Sequence, residues 1–297
     1  VNAHVPRFGS GEAKGVIDES VRGMDLYILV DVCNYSLTYS MSGNTNHMSP
    51  DDHYQNLKRI IAAVGGKAKR INVIMPFLYE SRQHKRSSRE SLDCALALQE
   101  LTHMGVDNII TFDAHGPRVQ NAIPLSGFET VRPTYQFVKG LLDRYDDLII
   151  DSDHMMAISP DEGATERAVY LANVLNLDMG MFYKRRDYTR VVNGRNPIVA
   201  HEFLGSSVEG KDVIILDDMI SSGDSILDVA KQLKSRNAKR IFAAATFGLF
   251  TNGLDKFDEA YESGLIDGVL TTNLIYQTPE LLSRPYYINW DMSNYVA

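Results

Sequence analysis

Val213-Ile214-Ile215-Leu216-Asp217-Asp218-Met219-Ile220-Ser221-Ser222-Gly223-Asp224-Ser225 runs from four consecutive apolar residues into two carboxylates and then into a turn of small residues. Val213–Leu216 predicts a buried strand, and Ser225–Asn237, with apolar residues at helical spacing, predicts the helix that follows it. A helix N-terminus presents unpaired N–H groups and a partial positive charge, so a turn containing Ser221, Ser222, Gly223 and Ser225 can wrap a phosphate monoester. Asp217 and Asp218 suit a different task. Adjacent carboxylates accept hydrogen bonds from the vicinal hydroxyls of a ribose, or hold magnesium through water. Two aspartates alone more often mark an acidic loop before a capped helix; the succession of strand, carboxylate pair and small-residue turn favours a ligand site. Asp224 is the discordant residue, because a carboxylate beside a bound phosphate repels it unless it points away.

Outward from this stretch, short β-rich runs alternate with amphipathic segments. Leu26–Val32, Ile71–Met75, Asn108–Phe112, Met155–Ile158, Met179–Tyr183 and Ile241–Thr246 are the other predicted strands. Ser88–Met104, with Leu92, Leu96 and Leu101 near one face, and Gly163–Leu175 are predicted surface helices. The alternation predicts mainly parallel sheets, because parallel strands need crossover helices, and ligands of such sheets bind beyond the carboxyl ends of strands. Two polar stretches, Asn34–Asp52 and Asp187–Gly205, break the alternation and are predicted loops, the second an active-site lid.

A chain of 297 residues is long enough for two domains, and counting elements puts the boundary near Arg132–Pro133, giving residues 1–132 and 133–297. The formal charge of −8 repels polyanions, so no nucleic-acid partner is expected, and the absence of a long apolar run argues against a membrane span. Cys33 and Cys94 are too few for a disulfide framework, which fits a cytoplasmic location. The start at Val1, with neither an initiator methionine nor a signal-peptide pattern, reads as trimmed.

The Asp217–Ser225 segment resembles the phosphoribosyl-diphosphate motif shared by type I phosphoribosyltransferases and ribose-phosphate pyrophosphokinases, with Ser221, Ser222, Gly223, Asp224 and Ser225 where Asp, Thr, Gly, Gly and Thr are more common. Four further segments resemble the pyrophosphokinases in particular, in that family's order. Arg7-Phe8-Gly9-Ser10-Gly11-Glu12 is similar to an adenine-contacting segment, in which Phe8 can stack on the base and Glu12 accept from its amine, while Ser10 stands where aspartate is usual. Tyr79–Arg86 resembles a segment whose Arg82 would bond ATP phosphates and whose Gln83 would orient the nucleotide, with His84 in place of an aspartate. Thr111–His115 and Ser159–Gly163 resemble the segments whose histidine and aspartate serve magnesium, which assigns His115 (also an ATP contact) and Asp161 as metal residues. Tyr183-Lys184-Arg185-Arg186 resembles the basic run before the family's catalytic loop. Lys184 and Arg186 are the expected catalytic cations, and strand alternation would put both on one face.

The resemblance implies two doubly wound α/β domains of type I phosphoribosyltransferase-like architecture, with mainly parallel sheets and the active site between them. It implies homo-oligomers, often hexamers, with Mg2+ as cofactor and ATP and ribose 5-phosphate as substrates. In the implied reaction the C1 hydroxyl of ribose 5-phosphate, held by Asp217–Ser225, attacks the β-phosphorus of ATP in line and AMP leaves. Two alternatives stay open. A phosphoribosyltransferase would share Asp217–Ser225 but lack the Arg-Gln, Asp-Ala-His and Lys-Arg-Arg set. A non-catalytic regulatory homologue would keep the fold, and the departures at Ser10, His84, Ser221 and Asp224 leave room for it.

Overall fold

The computed structural model describes residues 1–186 and 198–297, with side chains described for 1–183 and 202–297. Contacts divide the chain into two compact units: Val1–Pro133 with Leu274–Tyr276 and Met292–Ala297, and Thr134–Asn273 with Gln277–Asp291. Where the sequence predicts one cut, the partition is discontinuous, and two C-terminal segments group with the first unit.

The first unit carries β1 (Ala3–His4), β2 (Val16–Ile17), β3 (Asp25–Leu29), β4 (Thr38–Met41), β5 (Asn44–His47), α1 (Pro50–Val64), β6 (Arg70–Ile74), α2 (Asp93–His103), β7 (Asn108–Phe112) and β8 (Gly127–Val131). Its main sheet has the order β3-β6-β7-β8 with every pair parallel. The alternate residues Ile71 and Val73 of β6 turn into a core with Leu57, Ile61 and Val64 of α1 and Cys94, Leu98 and Leu101 of α2. On α2 the buried face is Cys94, Ala97, Leu98 and Leu101, while Leu96 is 57% exposed; the predicted Leu92-Leu96-Leu101 stripe is therefore corrected, because Leu96 lies on the solvent side of the helix.

The predicted loop at Asn34–Asp52 is also corrected. It holds the antiparallel β4–β5 hairpin, closed at Ser42 and Gly43, whose φ values of 50° and 80° match the positive-φ turn that fits strand twist. It ends in a helix start: Ser49 caps α1, its hydroxyl accepting from the Asp52 amide while the Asp52 carboxylate accepts from the Ser49 amide.

The second unit carries α3 (Thr134–Arg144), β9 (Met155–Ser159), α4 (Thr165–Leu175), β10 (Asp178–Arg186), β11 (Ile198–Leu204), β12 (Asp212–Ile220), α5 (Asp224–Lys234), β13 (Ile241–Gly248), α6 (Asp255–Glu262), β14 (Gly268–Thr272), α7 (Pro279–Leu282) and β15 (Tyr287–Trp290). Its seven strands have the order β11-β10-β9-β12-β13-β14-β15, parallel except for β10–β11. Alternation along β12 feeds two cores: Val213 and Ile215 pack with Ile226, Val229 and Leu233 of α5, and Ile214 and Leu216 with Leu141 of α3 and Leu171 of α4. Helices on both faces and parallel strands make this the doubly wound architecture expected from the sequence.

β11 overturns part of the second predicted loop, since Ile198–Leu204 is a strand paired with β10; residues 187–197 of the expected lid lie outside the described residues. A last short helix, α8 (Ser293–Val296), closes the chain. Among the described residues no helix is long and apolar enough to cross a membrane.

Candidate active site

In the second unit the chain leaves β9 to build β10 on one side and returns to β12 on the other, so the strand order reverses between β9 and β12. In open parallel sheets this switch point is where ligands bind, beyond the carboxyl ends of the strands. Two motifs singled out in the sequence meet there. Asp161 follows β9, and Asp217–Ser225 covers the end of β12 and the start of α5.

Asp161 is held by its backbone surroundings. Its Oδ1 accepts from the amides of Gly163 (2.9 Å) and Ala164 (3.3 Å), which turns the chain into α4. The carboxylate also contributes to the field at Asp217, whose Oδ1 accepts from the Asp218 amide at 2.8 Å. Asp218 is buried at 2% exposure. Burial first, then the charge of Asp218, then that of Asp161, raises the Asp217 carboxyl well above its ordinary value.

The sign of the consequence follows from linkage. The folded protein keeps a proton on Asp217 that the unfolded chain releases, so stability falls as pH rises from the ordinary carboxylate value of 3.8 towards the raised one. Asp217→Asn is therefore expected to raise the melting temperature at pH 8, with a smaller gain at pH 4. Equal gains at both pH values would contradict the assignment.

The turn after β12 is fixed from beneath. Gly223 takes φ 82° at the position before α5, and a Cβ there would lie 2.4 Å from the Phe257 ring of α6. A left-handed conformation and a buried aromatic at that distance admit glycine only. The Thr251 amide donates to the Ser221 carbonyl at 3.0 Å, tying the turn to the end of β13. The Ser222 hydroxyl donates to Asp224 Oδ2 at 3.0 Å, and Asp224 Oδ1 meets Lys256 Nζ at 2.5 Å. Lys256 had no signal in the sequence, because it stands on a different helix, 32 residues beyond Asp224 in the chain.

Lys184 and Arg186 lie on β10, which overshoots its neighbour. Met181 pairs with Ser159, the last residue of β9, so the backbone of Lys184–Arg186 continues past the carboxyl end of that strand. The β10–β11 register shifts between Arg185, opposite Ala200, and Arg186, opposite Ile198, which interrupts the simple alternation argued from the sequence. The side chains of Lys184 and Arg186 lie outside the described residues.

The other predicted residues belong to the first unit. Arg7–Glu12 is a tight turn: Phe8 and Glu12 pair through the backbone at 2.7 Å, Arg7 donates to the Gly11 carbonyl and to Asp52, and the Ser10 hydroxyl donates to Glu12. The β4–β5 hairpin backs it, with Tyr39 under the Arg7 guanidinium at 4.0 Å and Met41 against Gly11. Phe8 is left 53% exposed. At the end of β6, Arg82 is exposed and the Gln83 amide donates to the Ser91 carbonyl at 2.7 Å.

His84 and His115, from two separate motifs, come together edge to face with centroids 5.1 Å apart. Gly116 makes room for this pairing, since a Cβ there would strike the His84 ring at 2.5 Å. Burial, then His115, then Lys85 lower the His84 pKa below its ordinary value. Two residues before His115, Asp113 sits at φ 40° and is buried, its amide donating to the Val131 carbonyl.

Comparison with known proteins agrees with this geometry. The family model of the phosphoribosyl transferase domain matches residues 131–272, the span that contains the switch point, and that of the N-terminal domain of ribose phosphate pyrophosphokinase matches residues 1–105. A ribose-phosphate pyrophosphokinase of Mycoplasma genitalium is 31% identical over 91% of this chain and 74% of its own length, and one of Pasteurella multocida is 30% identical over 94% and 81%. The crystal structure of phosphoribosylpyrophosphate synthetase from Mycobacterium smegmatis has a TM-score of 0.80 at 23% identity, covering 99% of this chain and 87% of that one, and so shares the fold. The chain belongs to the ribose-phosphate pyrophosphokinase family, and it is a transferase.

Proposed function

We propose that the chain transfers the β,γ-diphosphate of ATP to the C1 hydroxyl of ribose 5-phosphate, releasing AMP. The observation that carries this reading is the turn Ser221–Ser225 at the sheet's switch point. A glycine-only conformation precedes a helix N-terminus, and two carboxylates stand just before it on the same strand. Such a turn suits the 5-phosphate, while Asp217 and Asp218 suit the two ribose hydroxyls.

On the nucleotide side, Phe8 offers an exposed face to adenine and Glu12 an acceptor for its amine, and Arg82 is the guanidinium for the phosphates. Gln83 is committed to the Ser91 backbone, so its contribution is to shape the segment that presents Arg82.

Magnesium fits the donors present. The carboxyl groups of Asp161 and Asp218 both act on Asp217, whose rise is due first to burial, and a hard divalent cation suits oxygen donors of this kind. His115 would hold one ion on the nucleotide side and Asp161 a second on the sugar side. Among the described residues no three His, Cys, Asp or Glu side chains converge on one point, and magnesium commonly takes only one or two protein groups, the rest being water and phosphate oxygen. When bound it supplies charge neutralisation on the diphosphate. Lys184 and Arg186 then stabilise the charge that spreads over the equatorial oxygens of the migrating group, and no covalent enzyme intermediate is needed.

The test is nucleotide analysis after incubation with ATP, ribose 5-phosphate and magnesium. AMP is expected, dependent on the sugar phosphate. Folded protein that binds both substrates and forms no AMP would favour the regulatory homologue.

A further inference from the structure

Asp224 is the discordant residue of the Ser221–Ser225 turn, and its surroundings explain how a carboxylate is tolerated there. It occupies the first position of α5, where a negative charge is favoured by the helix N-terminus. Its two oxygens are taken by a hydroxyl and an ammonium, Ser222 Oγ at 3.0 Å and Lys256 Nζ at 2.5 Å. These are the partners a phosphate monoester would use at the same turn. Lys256 and then Ser222 hold the Asp224 carboxyl below its ordinary value, so it is ionised at neutral pH.

The placement of Lys256 is itself unusual. It is the second residue of α6, in the first turn, where a cation is disfavoured by the helix dipole. Its neighbour Phe257 is fully buried, with its ring directly beneath Gly223, so the first turn of α6 is locked against the phosphate turn. Lys256 itself stays 54% exposed on its side chain, and its charge faces Asp224 and, more weakly, Asp228. A cation in a dipole-disfavoured position, anchored by a buried neighbour and parked on the one carboxylate of an anion-binding turn, is poised to exchange that carboxylate for an arriving anion.

We propose that Lys256 is a ligand of the substrate's 5-phosphate: Asp224 holds the ammonium at the rim of the turn, and ribose 5-phosphate takes it over on binding. The proposal rests on reading Ser221–Ser225 as the ribose 5-phosphate site. It makes Lys256 a binding residue and Asp224 a positioning residue, and it resolves the repulsion that Asp224 would otherwise exert, since the carboxylate faces a bound phosphate only across a shared cation.

The experiment compares wild type with Lys256→Met and Lys256→Arg. It measures KM for ribose 5-phosphate and for ATP, together with calorimetric titration of ribose 5-phosphate into each protein. Lys256→Met is expected to weaken ribose 5-phosphate roughly ten- to hundred-fold, the scale of one charge-assisted hydrogen bond, with KM for ATP as the unshifted reference. Lys256→Arg should recover most of the loss.

Unchanged affinity for ribose 5-phosphate in Lys256→Met, or an equal loss for ATP, would overturn the proposal and leave the reaction standing. If wild type binds ribose 5-phosphate but forms no AMP, the proposed reaction fails while the titrations still decide on Lys256. If wild type does not bind the sugar phosphate at all, both readings fall.

Discussion

Replacing Lys184 by alanine is expected to lower AMP formation at least ~10²-fold, the scale of removing one transition-state charge donor. Diphosphoryl transfer leaves little covalent chemistry to the protein, so rate depends on cations aimed at the equatorial oxygens. β10 borders the strand at the switch point and runs on beyond its end, which carries Lys184 to the edge where Asp161 and the Ser221–Ser225 turn stand. The loss should appear in kcat with both substrates still bound, because an interaction made mainly in the transition state leaves ground-state binding in place. Equal activity in wild type and Lys184→Ala would remove this residue from the mechanism without touching the reaction.

Gly223→Ala carries the second large effect. Its φ of 82° is costly for any residue with a Cβ, and that Cβ would lie 2.4 Å from the Phe257 ring. Phe257 is fully buried among Ile226, Ala260 and Tyr286, so it has little room to withdraw. Strain of roughly 1–3 kcal/mol and overpacking of roughly 1–3 kcal/mol together predict a clear drop in melting temperature and weakened binding of ribose 5-phosphate. The check is thermal unfolding beside calorimetric titration. A variant that keeps wild-type stability and affinity would mean that the turn does not depend on the Gly223–Phe257 contact.

The part of the fold legible in the sequence is the part whose signal is local. Runs such as Ile71–Met75 and Val213–Leu216 are buried on both faces and stand out as unbroken apolar segments, and the β12 turn is legible because strand, carboxylates and helix start follow one another within thirteen residues. The β4–β5 hairpin leaves a weak mark, because Tyr39 and Met41 alternate with Thr38 and Ser40 over only four residues, and Asn44–His47 is polar throughout and mostly exposed. β8, Gly127-Phe-Glu-Thr-Val131, likewise mixes glycine and charge on a half-exposed strand. On α2 the leucine pattern misleads, because the smaller Cys94 and Ala97 face the core while Leu96 faces solvent.

The candidate site divides along the same line. Asp161 and Asp217–Ser225 are contiguous motifs, and the adjacency of β9 and β12 brings them to one crevice. The contacts that modify the site join residues far apart in the chain: Lys256 with Asp224, Phe257 with Gly223, and His84 with His115. Composition and spacing carry no trace of such pairs, which exist only once two helices or two strand ends have packed. The departures at His84 and Asp224 were visible as substitutions, and their partners were not.

The most direct test of the central claim follows the diphosphate itself. ATP labelled at its β-phosphorus is incubated with ribose 5-phosphate, magnesium and the enzyme, and the products are separated. The account predicts that the label leaves the nucleotide and appears on the sugar phosphate in equal amount to the AMP formed. Label retained in ADP, with only the terminal phosphoryl group on the sugar, would contradict it.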